Sequence, residues 1–133
     1  MSRRILLVED DPSVLFITAQ ILSRLGKDIN VIPVSGGEQA ISLLNQEKID
    51  LLITDLRMEP LSGQELTQIA LKKNPDLRVV WISAYNSDWV RSEAKKLGVD
   101  YVFSKPVEAE TIRKVVLDIL YPADCVNNFV QVF

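Results

Sequence analysis

The chain has 133 residues, of which 47% are hydrophobic and 25% are charged, and these values are typical of one soluble globular domain. The net charge of -3 argues against a nucleic-acid-binding face, because phosphate backbones attract clustered lysine and arginine. With no histidine and a single cysteine, the chain has no internal disulfide, no cysteine-based zinc cluster and no histidine-dependent catalytic triad, so any metal ion would be held by oxygen.

The N-terminal residues predict neither secretion nor membrane insertion. The apolar run that follows Arg3 and Arg4 ends at Glu9, which makes it too short for a signal-peptide core or a membrane-spanning helix. We therefore expect a soluble cytoplasmic protein with no membrane partner and no direct nucleic-acid partner.

Apolar runs alternate with amphipathic stretches along the whole chain. The runs predict strands over residues 4–8, 29–34, 50–54, 77–82 and 101–104, and the amphipathic stretches predict helices over residues 12–25, 37–46, 63–73, 87–97 and 108–120. In the first helix, Asp11 is the predicted N-cap and Gly26 the predicted terminator. The apolar stripe of that helix is predicted to contain Val14, Ile17, Ile21 and Leu25, with Leu15 and Leu22 beside it.

Five rounds of strand and helix predict an α/β fold. We expect a doubly wound, flavodoxin-like sheet of five parallel strands in the order 2-1-3-4-5, with helices on both faces. This domain takes up residues 1–121, and residues 122–133 form a C-terminal tail of unassigned role. The tail is predicted to pack on this domain or on a second copy, or else to begin a linker. Its apolar residues are Val126, Phe129, Val130, Val132 and Phe133.

Polar side chains stand at the carboxyl ends of four predicted strands. Acids follow the first and third strands, Ser83 follows the fourth, and Lys105 follows the fifth. Because ligands of such sheets bind beyond these strand ends, we expect the side chains to converge. Crowded carboxylates need a cation, and their oxygens suit Mg²⁺. Metal, lysine and hydroxyl together stabilise a transferred phosphoryl group, whose nucleophile here has to be a carboxylate.

Each of these residues also has an ordinary structural explanation. An aspartate after a strand often caps a helix, which we favour for Asp11 and consider the lesser option for Asp55. Lys105 alone is compatible with a solvated lysine, and Ser83 alone is typical of a turn. The functional interpretation depends on their coincidence at the ends of four strands.

These motifs resemble the response-regulator receiver family over about residues 3–120. The resemblance rests on residues 5–11 (ILLVEDD), on residues 52–58 (LITDLRM) running to Gly63, on residues 81–84 (WISA), and on Gly98 running to residues 104–106 (SKP). Each motif alone is weak, but four in this order at this spacing are specific.

The resemblance implies a phosphoacceptor of two-component signalling, not a conventional enzyme. Asp55 would take a phosphoryl group from a sensor histidine kinase or a phosphotransfer protein, with Mg²⁺ as the cofactor. The phosphorylated domain would then bind a downstream effector, or a second copy, through the face formed by the fourth helix, fifth strand and fifth helix. The implied metal ligands are Asp10, Asp55, the backbone carbonyl of Arg57 and, through water, Glu9; the implied phosphate contacts are Ser83, Ala84 and Lys105, with a cis bond before Pro106.

The sequence departs from the family pattern at the residues that would transmit the signal. Glu59 stands where the family usually has proline, and Pro60 follows it. The usual switch aromatic is replaced by Val102, and Tyr101 is displaced by one residue, which points its side chain to the other face of the sheet.

Three further side chains are left with open alternatives. Arg57 and Tyr85, each two residues past a strand-end site residue, are predicted to modulate the site, Tyr85 by blocking or admitting water. The Arg57 head would pair with Glu59 or Glu9, or be solvated. Trp89 in the fourth helix would be either a core anchor or an exposed contact residue.

Two other functions compete with the phosphoacceptor. A pseudo-receiver would bind a partner through the same face without phosphorylation; the set of Asp10, Asp55 and Lys105 argues against it, and Val102 argues for it. A flavodoxin-like FMN-binding protein would share the fold. Acids after the first strand would repel the FMN phosphate, which argues against that option.

Overall fold

Strands and helices alternate along the chain as the sequence predicts. The computed structural model describes residues 2–85 and 87–122, so the predicted association of the tail lies outside the described residues. The strands are β1 (Arg3–Val8), β2 (Ile29–Val34), β3 (Leu51–Asp55), β4 (Arg78–Ser83) and β5 (Tyr101–Ser104). The helices are α1 (Pro12–Ser23), α2 (Gly37–Gln46), α3 (Gly63–Lys73), α4 (Asp88–Leu97) and α5 (Ala109–Leu120).

The strands form one parallel sheet in the order β2-β1-β3-β4-β5, which confirms the predicted topology. Strand order reverses between β1 and β3, so the connections that follow these two strands leave the sheet in opposite directions. A crevice therefore opens at their carboxyl ends. Within the described residues, none of the helices is long and apolar enough to span a membrane.

The sheet separates two apolar cores. Leu6 and Val8 of β1 face the core under α2, α3 and α4, whereas Ile5 and Leu7 face the core under α1 and α5. This alternation follows from the two-residue period of a strand, and both faces are apolar because helices cover both. The predicted inward residues of α5 are all buried: Ile112, Val115, Val116 and Ile119.

The predicted stripe of α1 is wrong in one member and the helix is shorter than expected. Ile17 is 58% exposed, and Thr18 and Leu22 are the buried residues of this helix. Apolar residues surround the first turns of α1, so spacing alone did not identify the inward face. The helix ends at Ser23 because the backbone N–H groups of Arg24 and Leu25 bond to carbonyls three residues back, which tightens the last turn.

Two strands end one residue later than predicted, and this matters for the site. β3 ends at Asp55 and β4 at Ser83, so both side chains belong to the sheet and are buried. At the other end of β3, the Asp50 carboxylate accepts a hydrogen bond from the Arg4 N–H and does not extend the strand. Ser62 and Ser87 cap α3 and α4, and Gly98 ends α4 with a left-handed φ of 79°.

Candidate functional site

Acidic side chains from the end of β1 and from β3 converge at the crevice. Glu9, Asp10 and Asp55 each place one carboxylate oxygen so that the three atoms lie within 4.8 Å of one another. Glu9 and Asp55 are only 3% and 5% exposed, whereas Asp10 is exposed to water. Oxygen ligands with one open, hydrated side suit a small divalent cation such as Mg²⁺, so the residues present fit the implied metal.

Lys105 reaches into this cluster from the end of β5. Its Nζ lies 2.8 Å from Glu9 Oε1 and 3.1 Å from Asp55 Oδ2. One ammonium group is therefore shared by two buried carboxylates, and Asp10 adds a third negative charge beside them. The surplus of negative charge favours binding of a cation. The Lys105–Pro106 peptide bond is cis, as the family resemblance implies.

The pKa directions at the site follow from burial and pairing. Burial raises the pKa of Glu9, and the nearby Asp55 charge raises it further, although Lys105 and the Asp11 N–H act in the opposite direction. Burial alone would lower the pKa of Lys105, but its ion pairs with the Glu9 and Asp55 carboxylates outweigh that effect and raise the pKa. Lys105 therefore stays charged at neutral pH and supplies a fixed positive charge.

The main chain around Asp55 is held on several sides. The Thr54 hydroxyl donates to the Asp55 carbonyl at 2.8 Å, and the Leu56 N–H donates to the Ile82 carbonyl at 3.3 Å. Gly63 at the start of α3 lies against the same Asp55 carbonyl oxygen, and a Cβ at this position would collide with it. Glycine is therefore required here by the close approach of two backbone segments.

The hydroxyl of Ser83 is engaged by its own loop. It donates to the Tyr85 carbonyl at 2.8 Å and accepts from the Tyr85 N–H at 3.0 Å. The Ser83 carbonyl also accepts from the Lys105 N–H at 2.9 Å, which ties the two strand ends together. Ala84 follows and is exposed. To contact a group on Asp55, the hydroxyl would have to leave the Tyr85 carbonyl.

Arg57 and Tyr85 stack on each other across the crevice. The Arg57 guanidinium carbon lies 4.4 Å from the centre of the Tyr85 ring, and the tyrosine remains 59% exposed. Tyr85 is not one of the partners considered from the sequence, which were Glu59 and Glu9, while Arg57 remains exposed, in line with the solvated option. The signal was present, because both residues stand two positions past a strand-end residue and so lie on adjacent loops.

The switch-aromatic position behaves as the strand parity predicts. Val102 is buried in the core under α2, α3 and α4, whereas Tyr101 is partly buried in the core under α1 and α5. Trp89 is 61% exposed on α4, which decides for the exposed alternative. Glu59 is exposed in the loop after Asp55, and the Glu59–Pro60 bond is cis.

Sequence reasoning did not identify two polar contacts that join α3 to its neighbours. Gln64 Nε2 donates to Glu93 Oε1 of α4 at 2.9 Å. Trp81 Nε1 of β4 donates to Thr67 Oγ1 of α3 at 2.9 Å, in a fully buried setting. Neither pair has a local sequence signature, because each joins residues that are distant along the chain.

Comparisons with known proteins agree with this geometry. The response regulator receiver domain family matches residues 5–117. The regulatory protein LuxO of Vibrio campbellii is 32% identical over 122 residues, which cover 92% of this chain and 26% of that protein. The transcriptional regulatory protein GlrR of Escherichia coli is 32% identical over 116 residues, which cover 87% and 26%. The chain thus spans about a quarter of the length of these relatives.

Solved structures share the fold. A CheY-like receiver domain protein from Methanospirillum hungatei superposes with a TM-score of 0.83 at 23% identity, covering 93% of this chain and 98% of that one. The non-phosphorylated HemR receiver domain from Leptospira biflexa gives a TM-score of 0.82 at 24% identity, covering 90% and 95%. Since the family match covers most of the chain and the fold agrees with it, the chain belongs to the response regulator receiver domain family of two-component signalling.

Proposed function

We propose that this domain accepts a phosphoryl group on Asp55 from a histidine kinase or a phosphotransfer protein, with Mg²⁺ as cofactor. The observation that carries the proposal is the convergence of three carboxylates with Lys105, whose Nζ is 3.1 Å from Asp55 Oδ2. The domain is a signalling phosphoacceptor that assists only its own phosphorylation and dephosphorylation, and it works in the cytoplasm.

The reaction transfers a phosphoryl group from a histidine nitrogen of the donor to a carboxylate oxygen of Asp55. An Asp55 carboxylate oxygen attacks the phosphorus of a phosphohistidine, the P–N bond breaks, and the electron pair stays on the departing imidazole. Mg²⁺ would be held by Asp10, Asp55, the Arg57 backbone carbonyl and, through water, Glu9. When bound, it would neutralise the charge that develops on the phosphoryl group. Lys105 pairs with a phosphoryl oxygen, and Ser83 and Ala84 complete the contacts to the phosphate.

Arg57 and Tyr85 form the side of the crevice through which water reaches Asp55. Their stack joins the loop after β3 to the loop after β4. A cation over an aromatic ring is favourable, so the two side chains hold each other over the opening. They therefore modulate how fast the aspartyl phosphate hydrolyses.

The phosphodonor docks beside the site. Its phosphohistidine must reach Asp55, so its surface has to cover the rim of the crevice, from which α1 departs directly at Pro12. Phe16 and Ile17 of α1 are 66% and 58% exposed, an unusual exposure for large apolar side chains next to an acidic site. We assign this helix face to the kinase or phosphotransfer protein.

The output partner binds on another face. A cavity of about 430 Å³ is lined by residues of α4, β5 and α5, among them Arg91, Val102 and Thr111. Phosphorylation shifts the equilibrium between two arrangements of this face, and a downstream effector or a second copy binds the favoured one.

Labelling with a small phosphodonor tests the proposal. Incubation with Mg²⁺ and acetyl phosphate should add the mass of one phosphoryl group, and peptide mapping should locate it on Asp55. An unlabelled domain with intact Mg²⁺ binding would support the rival function, a pseudo-receiver that binds its partner without phosphorylation.

A further inference from the structure

A buried hydrogen-bond chain joins the middle of β4 to the start of α3. The Trp81 indole N–H donates to Thr67 Oγ1 at 2.9 Å, and the Thr67 hydroxyl donates to the Gly63 carbonyl at 2.7 Å. Trp81 is 1% exposed and Thr67 is fully buried. An indole N–H in an apolar core is costly unless it finds an acceptor, so this geometry is strongly constrained.

The Gly63 end of this hydrogen-bond chain touches the backbone of the site. Gly63 lies against the Asp55 carbonyl so closely that a side chain there would collide with it. The Gly63 N–H also donates to the Leu56 carbonyl at 3.0 Å. The first turn of α3 is therefore fixed by Trp81 through Thr67 on one side and lies against the Asp55–Leu56 backbone on the other.

The loop between Leu56 and Gly63 contains Arg57, whose carbonyl is a proposed metal ligand. A backbone carbonyl has no side-chain torsion with which to adjust, so its position depends on where the loop ends are held. One end leaves β3 at Asp55, and the other enters α3 at Gly63. A shift of α3 would be transmitted through the Gly63–Leu56 hydrogen bond to the residue that precedes Arg57.

We propose that Trp81 and Thr67 are positioning residues for the metal site, which they influence through Gly63 and the loop after Asp55. The inference rests on the proposed Mg²⁺ site, but it concerns residues that touch neither metal nor phosphate. It assigns a role to the indole N–H of Trp81, which the packing of the ring alone does not require.

The test compares two substitutions at one position. Thr67→Val keeps the shape but removes the hydroxyl, and Thr67→Ser keeps the hydroxyl. In NMR titrations of the full chain with Mg²⁺, Thr67→Val should weaken binding by about fivefold, since groups that support metal ligands typically change affinity by about tenfold or more when they contact the ligand directly. Thr67→Ser should remain within about twofold of wild type, because its hydroxyl accepts from Trp81.

Two further variants separate positioning from loss of stability. Trp81→Phe should weaken Mg²⁺ binding less than Thr67→Val, because it leaves the Thr67–Gly63 hydrogen bond in place. The double variant should be no weaker than Thr67→Val, which already removes both hydrogen bonds. Val116→Ala, in the opposite core, should lower the melting temperature without changing Mg²⁺ binding. Equal Mg²⁺ affinity in wild type and Thr67→Val would overturn the inference.

Amide hydrogen exchange without metal keeps the two proposals distinguishable. Thr67→Val, and not Thr67→Ser, should speed exchange of the Leu56 and Gly63 amides more than exchange in α5. If wild type failed to bind Mg²⁺, the proposed function would fail, and this exchange pattern would still show that Trp81 and Thr67 position the loop after Asp55. Uniform acceleration across the domain would decide against it.

Discussion

The two sides of the crevice differ in what holds their side chains in place. On the reaction side, Glu9, Asp55 and Lys105 are buried or half-buried, and they are fixed by ion pairs of 2.8 and 3.1 Å. On the output side, the Ser83 hydroxyl bonds to the backbone of Tyr85 in its own loop, and Tyr85 is mostly exposed beneath Arg57. The reaction side matches the family pattern, whereas the signalling route departs from it at Val102, which replaces the usual switch aromatic.

This difference separates two physical requirements. Charge stabilisation needs groups that are positioned before the reaction, because reorganisation during the reaction would cost free energy. Signalling needs groups with two accessible arrangements of similar free energy. The ion-paired groups of the reaction side meet the first requirement, and the locally bonded loop of the output side meets the second. The two sides lie in neighbouring loops, and each side can be perturbed separately.

The largest expected effect concerns the reaction side. Asp10→Ala removes the exposed acid of the cluster, and labelling by acetyl phosphate with Mg²⁺ should fall by roughly 100-fold, a typical cost of losing one group that stabilises transition-state charge. The fold should remain intact, as circular dichroism would show. As a control, Asp11→Ala removes a neighbouring acid that caps α1; it should cost about 1 kcal/mol of stability and leave labelling near wild type. Normal labelling of Asp10→Ala would remove Asp10 from the metal site.

The next effect separates docking from chemistry. Ile17→Asp places a charge on the exposed face of α1, and labelling by a histidine kinase chosen because it phosphorylates the wild type should fall roughly tenfold, as for a central interface residue. Labelling by acetyl phosphate should not change, because Ile17 is exposed on α1 and is not one of the residues proposed to hold Mg²⁺ or phosphate. As a control, Ser42→Asp adds the same charge at an exposed position of α2. If both donors were affected equally, the α1 docking face would be wrong.

The reaction side was predictable from the sequence, and the output side only in part. Glu9, Asp55 and Lys105 each follow directly from a strand end, and parallel topology then brings them together. The sequence places Arg57 and Tyr85 on adjacent loops but does not show that their side chains stack. The Trp81–Thr67 hydrogen bond depends on how a helix meets the sheet, which local patterns do not encode. Ile17 was misplaced for a related reason: α1 has more apolar residues than its core contact covers.

Removing one of the crowded charges should stabilise the metal-free domain. Asp55→Asn relieves repulsion with Glu9 and Asp10 while keeping an oxygen that accepts from Lys105, so the free energy of unfolding should rise by about 1 kcal/mol. Urea denaturation in buffer with a chelator measures this change. Glu59→Gln makes the same charge change at an exposed position and should have little effect. A clear loss of stability in Asp55→Asn would mean that the Lys105 ion pair outweighs the repulsion.

A smaller effect is expected on the lifetime of the aspartyl phosphate. Tyr85→Ala removes the ring beneath Arg57, and a cation–π contact at an exposed site is worth about 0.5–1 kcal/mol, which corresponds to a change of about two- to fivefold in hydrolysis rate. We expect faster hydrolysis because water reaches Asp55 more easily. Tyr85→Phe keeps the ring and should behave like wild type. Equal lifetimes for the alanine and wild-type proteins would show that the stack does not control water access.

The smallest effect should be at Val102, and it decides how the signal leaves the site. Valine is stiff about its one side-chain torsion and has no ring to swing between two positions, so the movement should be carried by Ser83, Tyr85 and the start of α4. In the adduct with beryllofluoride, the Ser83 hydroxyl is expected to give up its hydrogen bond to the Tyr85 carbonyl and to donate instead to a fluorine of the beryllofluoride bound at Asp55. Amide NMR shifts should therefore change strongly at Ser83, Tyr85 and Ser87 and little at Val102.

Val102→Ala should lower stability by about 1–2 kcal/mol, the usual cost of truncating a small buried side chain, while the shift changes of the loop persist. Large shifts at Val102 beside a quiet loop would instead place the output route in β5, and the local character that we assign to the output side would be wrong.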